Sequence, residues 1–129
     1  YIAYCFARTP GLIAIGKYEG ANQANGSPVI VDDGGAGFKP ALLLIKNIDS
    51  AEDWYWYDNI RSPYNPTASI IVSNDTIVER TSADNQLDLT ATGFKINDTG
   101  TLNAGTNTNN TYCYIAFGAE AFALNNRAT

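Results

Sequence analysis

The sequence predicts an all-β fold, an antiparallel β-sandwich or jelly-roll-like arrangement, on three observations. Short runs rich in β-branched and aromatic residues recur along the chain. Clusters of Gly, Asn, Asp and Pro separate them, supplying the positive or preset φ that turns require. No segment joins a 3.6-residue apolar period to helix-favouring residues over about three turns. The best helical candidate, 119–125, has room for one turn at most.

In chain order the expected strands are 1–7, 12–18, 29–32, 41–48, 54–58, 69–73, 76–81, 87–90, 93–97 and 111–119. The intervening stretches 19–27, 33–37, 62–66 and 97–110 read as turns and loops. Strands at this spacing suit a sandwich. Two runs do not alternate. Leu12-Ile13-Ala14-Ile15 and Ala41-Leu42-Leu43-Leu44-Ile45 are apolar on both faces, where a strand with one wet face should alternate. One face is core; the other meets a partner subunit or the cover of a central strand. Leu43, Ile45, Ile13 and Ile15 are therefore the candidate subunit-interface residues.

The chain has 129 residues, enough for one domain. Hydrophobic residues are 45% and charged residues 16%, so polarity comes mainly from Asn, Thr, Ser and Gly, a globular composition. The net charge of -5 disfavours nucleic acid and anionic membrane, since phosphate binding needs clustered Lys and Arg and the eight here are scattered. No apolar run approaches the roughly 20 residues of a membrane span, and nothing reads as a signal peptide. Cys5 and Cys113, in aromatic runs near opposite ends, are expected as buried thiols rather than a disulfide. Sequons at Asn25, Asn74, Asn97 and Asn109 are ordinary in so Asn/Thr-rich a chain.

There is no His, which removes the commonest general base and metal ligand. No CxxC pair, P-loop or GxGxxG occurs, so no cofactor and no metal is expected. Paired carboxylates are the one catalytic route open, through Asp49, Glu52, Asp53 and Asp58. The first three lie in an expected hairpin turn, where solvated acids are common. Asp32-Asp33 and the 49–53 cluster offer oxygens for calcium, with no EF-hand spacing to support it. The expectation is a protein that is not an enzyme.

The densest aromatic patch is Trp54-Tyr55-Trp56-Tyr57. Alternation puts the tryptophans on one face and the tyrosines on the other. The larger indoles gain more from burial, so they are expected inside. Tyr55 and Tyr57 would then stand beside Asp58, Arg61, Tyr64 and Asn65 as a platform for stacking a sugar ring and bonding its hydroxyls. Subunit packing or ordinary cross-strand pairing explains the same rings equally well.

The most specific feature is an internal echo. Tyr1-Ile2-Ala3-Tyr4 returns as Tyr114-Ile115-Ala116-Phe117. That spacing suggests tandem architecture, with residues 1–9 a strand continuing from a preceding module and 10–129 the sandwich module; a chance match of four residues in an aromatic-rich chain is the alternative.

Taken in order, Tyr1-Ile-Ala-Tyr-Cys-Phe-Ala7, Gly16-Lys-Tyr-Glu-Gly20, Gly37-Phe-Lys-Pro-Ala41, Leu44-Ile-Lys46, Trp54-Tyr-Trp-Tyr-Asp-Asn59 with Arg61 and Tyr64-Asn65, Thr92-Gly-Phe-Lys-Ile96 and Tyr114-Ile-Ala-Phe117 resemble a module found near the C-termini of tail-fibre-like and other structural proteins of marine tailed phages. The likeness spans almost the whole chain. It implies a virion setting, a β-sandwich displayed on the particle as a homo-oligomer, commonly a trimer, and other virion proteins as partners. A host-surface glycan is the expected ligand; a purely structural role in a capsid decoration or fibre is the alternative. The stretch 22–35 looks longer than the matching loop of that module, and such loops are where target preference tends to reside.

Overall fold

The computed structural model describes residues 1–21, 23, 25–26, 28–81, 83, 85–97, 100–102 and 110–119. Nine strands are described: β1 (Ile13–Glu19), β2 (Pro28–Ile30), β3 (Pro40–Asn47), β4 (Trp54–Asp58), β5 (Ser69–Val72), β6 (Arg80–Thr81), β7 (Leu87–Thr90), β8 (Gly93–Ile96) and β9 (Thr111–Gly118). They form two antiparallel sheets, six strands in the order β1-β9-β3-β4-β5-β6 and three in the order β2-β8-β7. The fold is all-β and built as a sandwich. Apart from Ala119, the helical candidate at 119–125 lies outside the described residues, as do parts of the sequons at 25, 97 and 109.

The longest strands, β3 and β9, lie side by side at the centre of the larger sheet. Their registers fix which side chains share a face. Ile15 pairs with Ile115, Ile115 with Leu44, Leu44 with Trp56, and Trp56 with Ile71. Because successive residues point to opposite faces, each neighbour of that row points the other way. Inward go Ala14 and Tyr18 of β1, Tyr112, Tyr114 and Ala116 of β9, Leu43 and Ile45 of β3, Tyr55 and Tyr57 of β4, and Ile70 and Val72 of β5. They meet Leu87, Leu89, Phe94 and Ile96 of the smaller sheet, with Val31, Phe38 and Leu102 closing the core from loops.

Aromatic rings make the centre of the core. Tyr18 stacks on Tyr112 with ring centroids 4.8 Å apart, and Phe94 meets Tyr18 and Tyr114 edge-on at 5.5 and 5.4 Å. Such offset and T-shaped pairs add to the gain from burial alone. Tyr18 also donates its hydroxyl to the Leu102 carbonyl, which ties a loop to the sheet.

Four expectations are corrected. Residues 1–8 form no strand in either sheet; they are exposed. The expected strand at 76–81 contracts to Arg80–Thr81. Cys5 and Cys113 are both free thiols, but Cys5 is exposed and Cys113 half-buried, so they are not a buried pair. Leu43 and Ile45 are fully buried against the smaller sheet, which removes them from any subunit interface. Ile13 and Ile15 do face outward, and on β3 the outward residues are Leu42, Leu44 and Lys46.

Candidate functional site

The aromatic strand β4 is inverted relative to the sequence expectation. Tyr57 is 0% exposed and Tyr55 4%, whereas Trp54 is 42% exposed and Trp56 half-buried. The physical reason lies in the hydroxyls. The interior supplies partners: Tyr57 donates to the Asn85 carbonyl at 3.0 Å, and Tyr55 Oη lies 3.3 Å from Thr101 Oγ1. Burial pushes the Tyr55 hydroxyl's pKa up, as its removal from water disfavours the phenolate. Neither tyrosine can stack a sugar.

The other proposed ligand residues are tied into the framework. Asp58 closes the turn after β4: Oδ1 accepts the Ile60 and Arg61 N–H groups at 3.0 and 2.7 Å, and Oδ2 accepts Arg61 Nε at 2.5 Å. Burial pushes its pKa up, but these Arg61 and Ile60 hydrogen bonds and the guanidinium charge outweigh it and hold the carboxyl below its ordinary value. Arg61 reaches on to Glu79 at 3.3 Å. Asn65 uses its amide as a strand residue would: Nδ2 donates to the Leu89 carbonyl and Oδ1 accepts the Leu89 N–H, both at 3.0 Å. Two residues on, Thr67 and Leu87 exchange backbone bonds. Asn65 thus helps bridge the segment before β5 to the smaller sheet. Tyr64 is 85% exposed. The structure brings Asp58 and Arg61 together and leaves the six residues without a common ligand surface.

The acidic loops are likewise internally satisfied. In the 47–53 turn the Lys46 ammonium donates to the carbonyls of Asn47 and Glu52, both at 2.7 Å, and of Ser50 at 3.4 Å. An ammonium on those carbonyls is a poor neighbour for calcium. Asp49 accepts the Thr111 N–H at 2.7 Å, and that bond holds its carboxyl below the ordinary value. Asp33 is almost fully buried. Its carboxylate accepts N–H groups from Gly11 at 2.9 Å, Gly35 at 2.7 Å and Gly37 at 3.1 Å. Gly11 contributes most to lowering its pKa, against burial, with Gly35 and Gly37 adding to the effect. Gly37 has φ +80°, which favours glycine, and so lets the loop wrap round the carboxylate. Among the described residues no group of three or more His, Cys, Asp or Glu is placed to hold a metal.

What remains is the outer face of the larger sheet. The register row Ile15–Ile115–Leu44–Trp56–Ile71 crosses five adjacent strands with only apolar side chains. A second row, Ile13–Phe117–Leu42–Asp58, flanks it, and the third is Lys17–Cys113–Lys46–Trp54. Leu44 is only 7% exposed although it lies outside the core cluster. Ile15 and Ile71 are 42% and 46% exposed. Phe6 of the N-terminal arm sits edge-on against Phe117 on this face, centroids 5.9 Å apart.

Sequence reasoning placed Ile13 and Ile15 on this surface and missed Leu42, Leu44, Trp54, Trp56 and Ile71. One signal could have found four of them. Lys46 shares alternation with Leu42 and Leu44, and Asp58 shares it with Trp54 and Trp56, so each charge marks its row as the outer one.

No curated protein and no solved structure matches the chain. Residues 1–121, which take in the arm and all nine strands, match the Domain of unknown function (DUF7483), and the chain belongs to that family.

Proposed function

We propose that this domain is a non-catalytic assembly module of a phage virion appendage, in which the outer face of the six-stranded sheet seats against a neighbouring subunit of a homo-oligomer. The observation that carries the reading is the apolar row from Ile15 to Ile71. A solvated antiparallel face should alternate apolar-in with polar-out, and an outward apolar row that is 42% and 46% exposed at its ends, Ile15 and Ile71, marks an interaction surface. The internal pairing of Asp33, Asp58 and Asn65 agrees with a structural role. The virion setting rests on the ordered motifs that resemble the phage module.

The two tryptophans of the chain both lie on this face, so intrinsic indole fluorescence reports on it alone. Acrylamide quenching should weaken as concentration is raised through assembly. Quenching that stays constant while the protein associates would place the contact elsewhere.

One observation favours a second reading, host-glycan recognition. Trp54 is 42% exposed, and polar groups gather at its backbone: Asn74 Oδ1 accepts the Trp54 main-chain N–H at 2.9 Å, and Asn74 Nδ2 donates to Asp53 at 3.0 Å. An exposed indole on a strand whose first backbone N–H is held by an amide, next in the chain to a carboxylate, suits a sugar. Glycan-array binding that Trp54→Ala abolishes, with assembly intact, would establish it over the structural role alone.

A further inference from the structure

We propose that the free edge of β1 is a strand-addition site whose occupant is the N-terminal arm, residues 1–7, of a second copy of this chain. The first support is the edge itself. β1 pairs with β9 on one side only. The bonds from Gly118 N–H to Leu12 O and from Gly20 N–H to Asn110 O show that the even-numbered residues of β1 bond to β9. Ile13, whose parity is odd, instead exchanges both backbone bonds with Thr9 on the other side, at 2.9 and 3.0 Å. Backbone groups of Ile15, Lys17 and Glu19 therefore point away from the sheet, an open template for a strand.

The second support is the arm. Residues 1–7 carry no charged side chain and are rich in strand-forming aromatics and Ile. Tyr1, Ile2 and Tyr4 are among the most exposed large apolar side chains described. Their order Tyr-Ile-Ala-Tyr nearly repeats Tyr114-Ile115-Ala116-Phe117, the stretch of β9 that β1 already accepts along Ile13–Gly16. Extended, residues 1–5 reach about 17 Å, the length of the open stretch from Ile15 to Glu19.

The third support says why the arm's own edge does not take it. Thr9 and Ile13 are the only rung formed. Continued, that hairpin would put Phe6 on the inner side beside Gly16. Phe6 lies on the outer face against Phe117 instead. The arm has left the ladder, so its own edge is open and its Tyr1, Ile2 and Tyr4 side chains are uncovered. A second copy satisfies both.

This inference extends the assembly reading to a second surface and does not depend on the outer face. Amide hydrogen exchange of the full chain tests the two separately. The Ile15, Lys17 and Glu19 amides should gain about tenfold or more protection between roughly 10 µM and 1 mM protein. Ile2→Asp with Tyr4→Asp, both on the exposed arm, should abolish the gain. Lys17→Pro should do the same, because its lost N–H points away from β9. Protection that does not change with concentration would mean the arm pairs with its own edge and would overturn the proposal. So would the absence of protection, or a gain that survives the arm variant. Association that leaves these three amides exchanging freely would sink the strand addition while leaving the outer-face reading intact.

Discussion

Tyr114 lies across Gly16 on the adjacent strand, with its hydroxyl 2.5 Å from where a β-carbon of residue 16 would stand. The same hydroxyl accepts the Asp32 N–H at 2.9 Å. One ring therefore fills the core over a glycine, covers the β1 backbone and anchors the loop after β2. Burial, the foremost effect, holds the Tyr114 hydroxyl's pKa up.

Gly16→Ala should displace that ring from a packed position and cost about 1–3 kcal/mol, the usual range for overpacking. Lys17→Ala, next along and pointing outward, should stay within about 0.5 kcal/mol. Urea unfolding of the two variants checks the difference.

The inverted β4 makes a second comparison. Tyr57→Ala should lose about 3–5 kcal/mol, as for other large buried aromatics, whereas Trp54→Ala should lose well under that. Were the tryptophans the core residues, the order would reverse. Thermal melts of both variants decide it.

Asp33 sets an acid-side dependence. Its folded pKa lies below the ordinary 3.8, so its contribution is present above that value and disappears as pH falls through the folded pKa. Asp58 acts in the same direction. Asp33→Asn should lower stability at pH 7 by about 1–3 kcal/mol, since an amide nitrogen cannot accept the glycine N–H groups. The gap between wild type and variant should narrow as pH drops below about 4. Denaturant midpoints across that range measure it.

Much of the fold was legible because strand formation is a local matter of composition and turn residues. The 54–58 and 87–90 runs coincide with β4 and β7, and β9 differs from its expected run by one residue. Two strands went astray for non-local reasons. Residues 1–7 have strand chemistry but no paired edge in this structure, and of 76–81 only Arg80 and Thr81 find partners on β5.

The site was less legible because it depends on the phase of alternation, not its period. Area alone put the indoles of Trp54 and Trp56 inside, yet Tyr55 and Tyr57 find polar partners there. Leu43 and Leu44 are equally apolar in sequence, and only the register with β9 and β4 separates a core residue from one on the outer face.

Sedimentation velocity of the full chain beside Ile71→Lys tests the central claim most directly. Ile71 ends the apolar row and is half-exposed, so a charge there should leave the melting temperature nearly unchanged. The wild type should sediment as an oligomer at about 100 µM, and the variant should need at least about tenfold more protein to reach the same state. A wild type that remains monomeric, or a variant that sediments identically to an oligomeric wild type, would contradict the account.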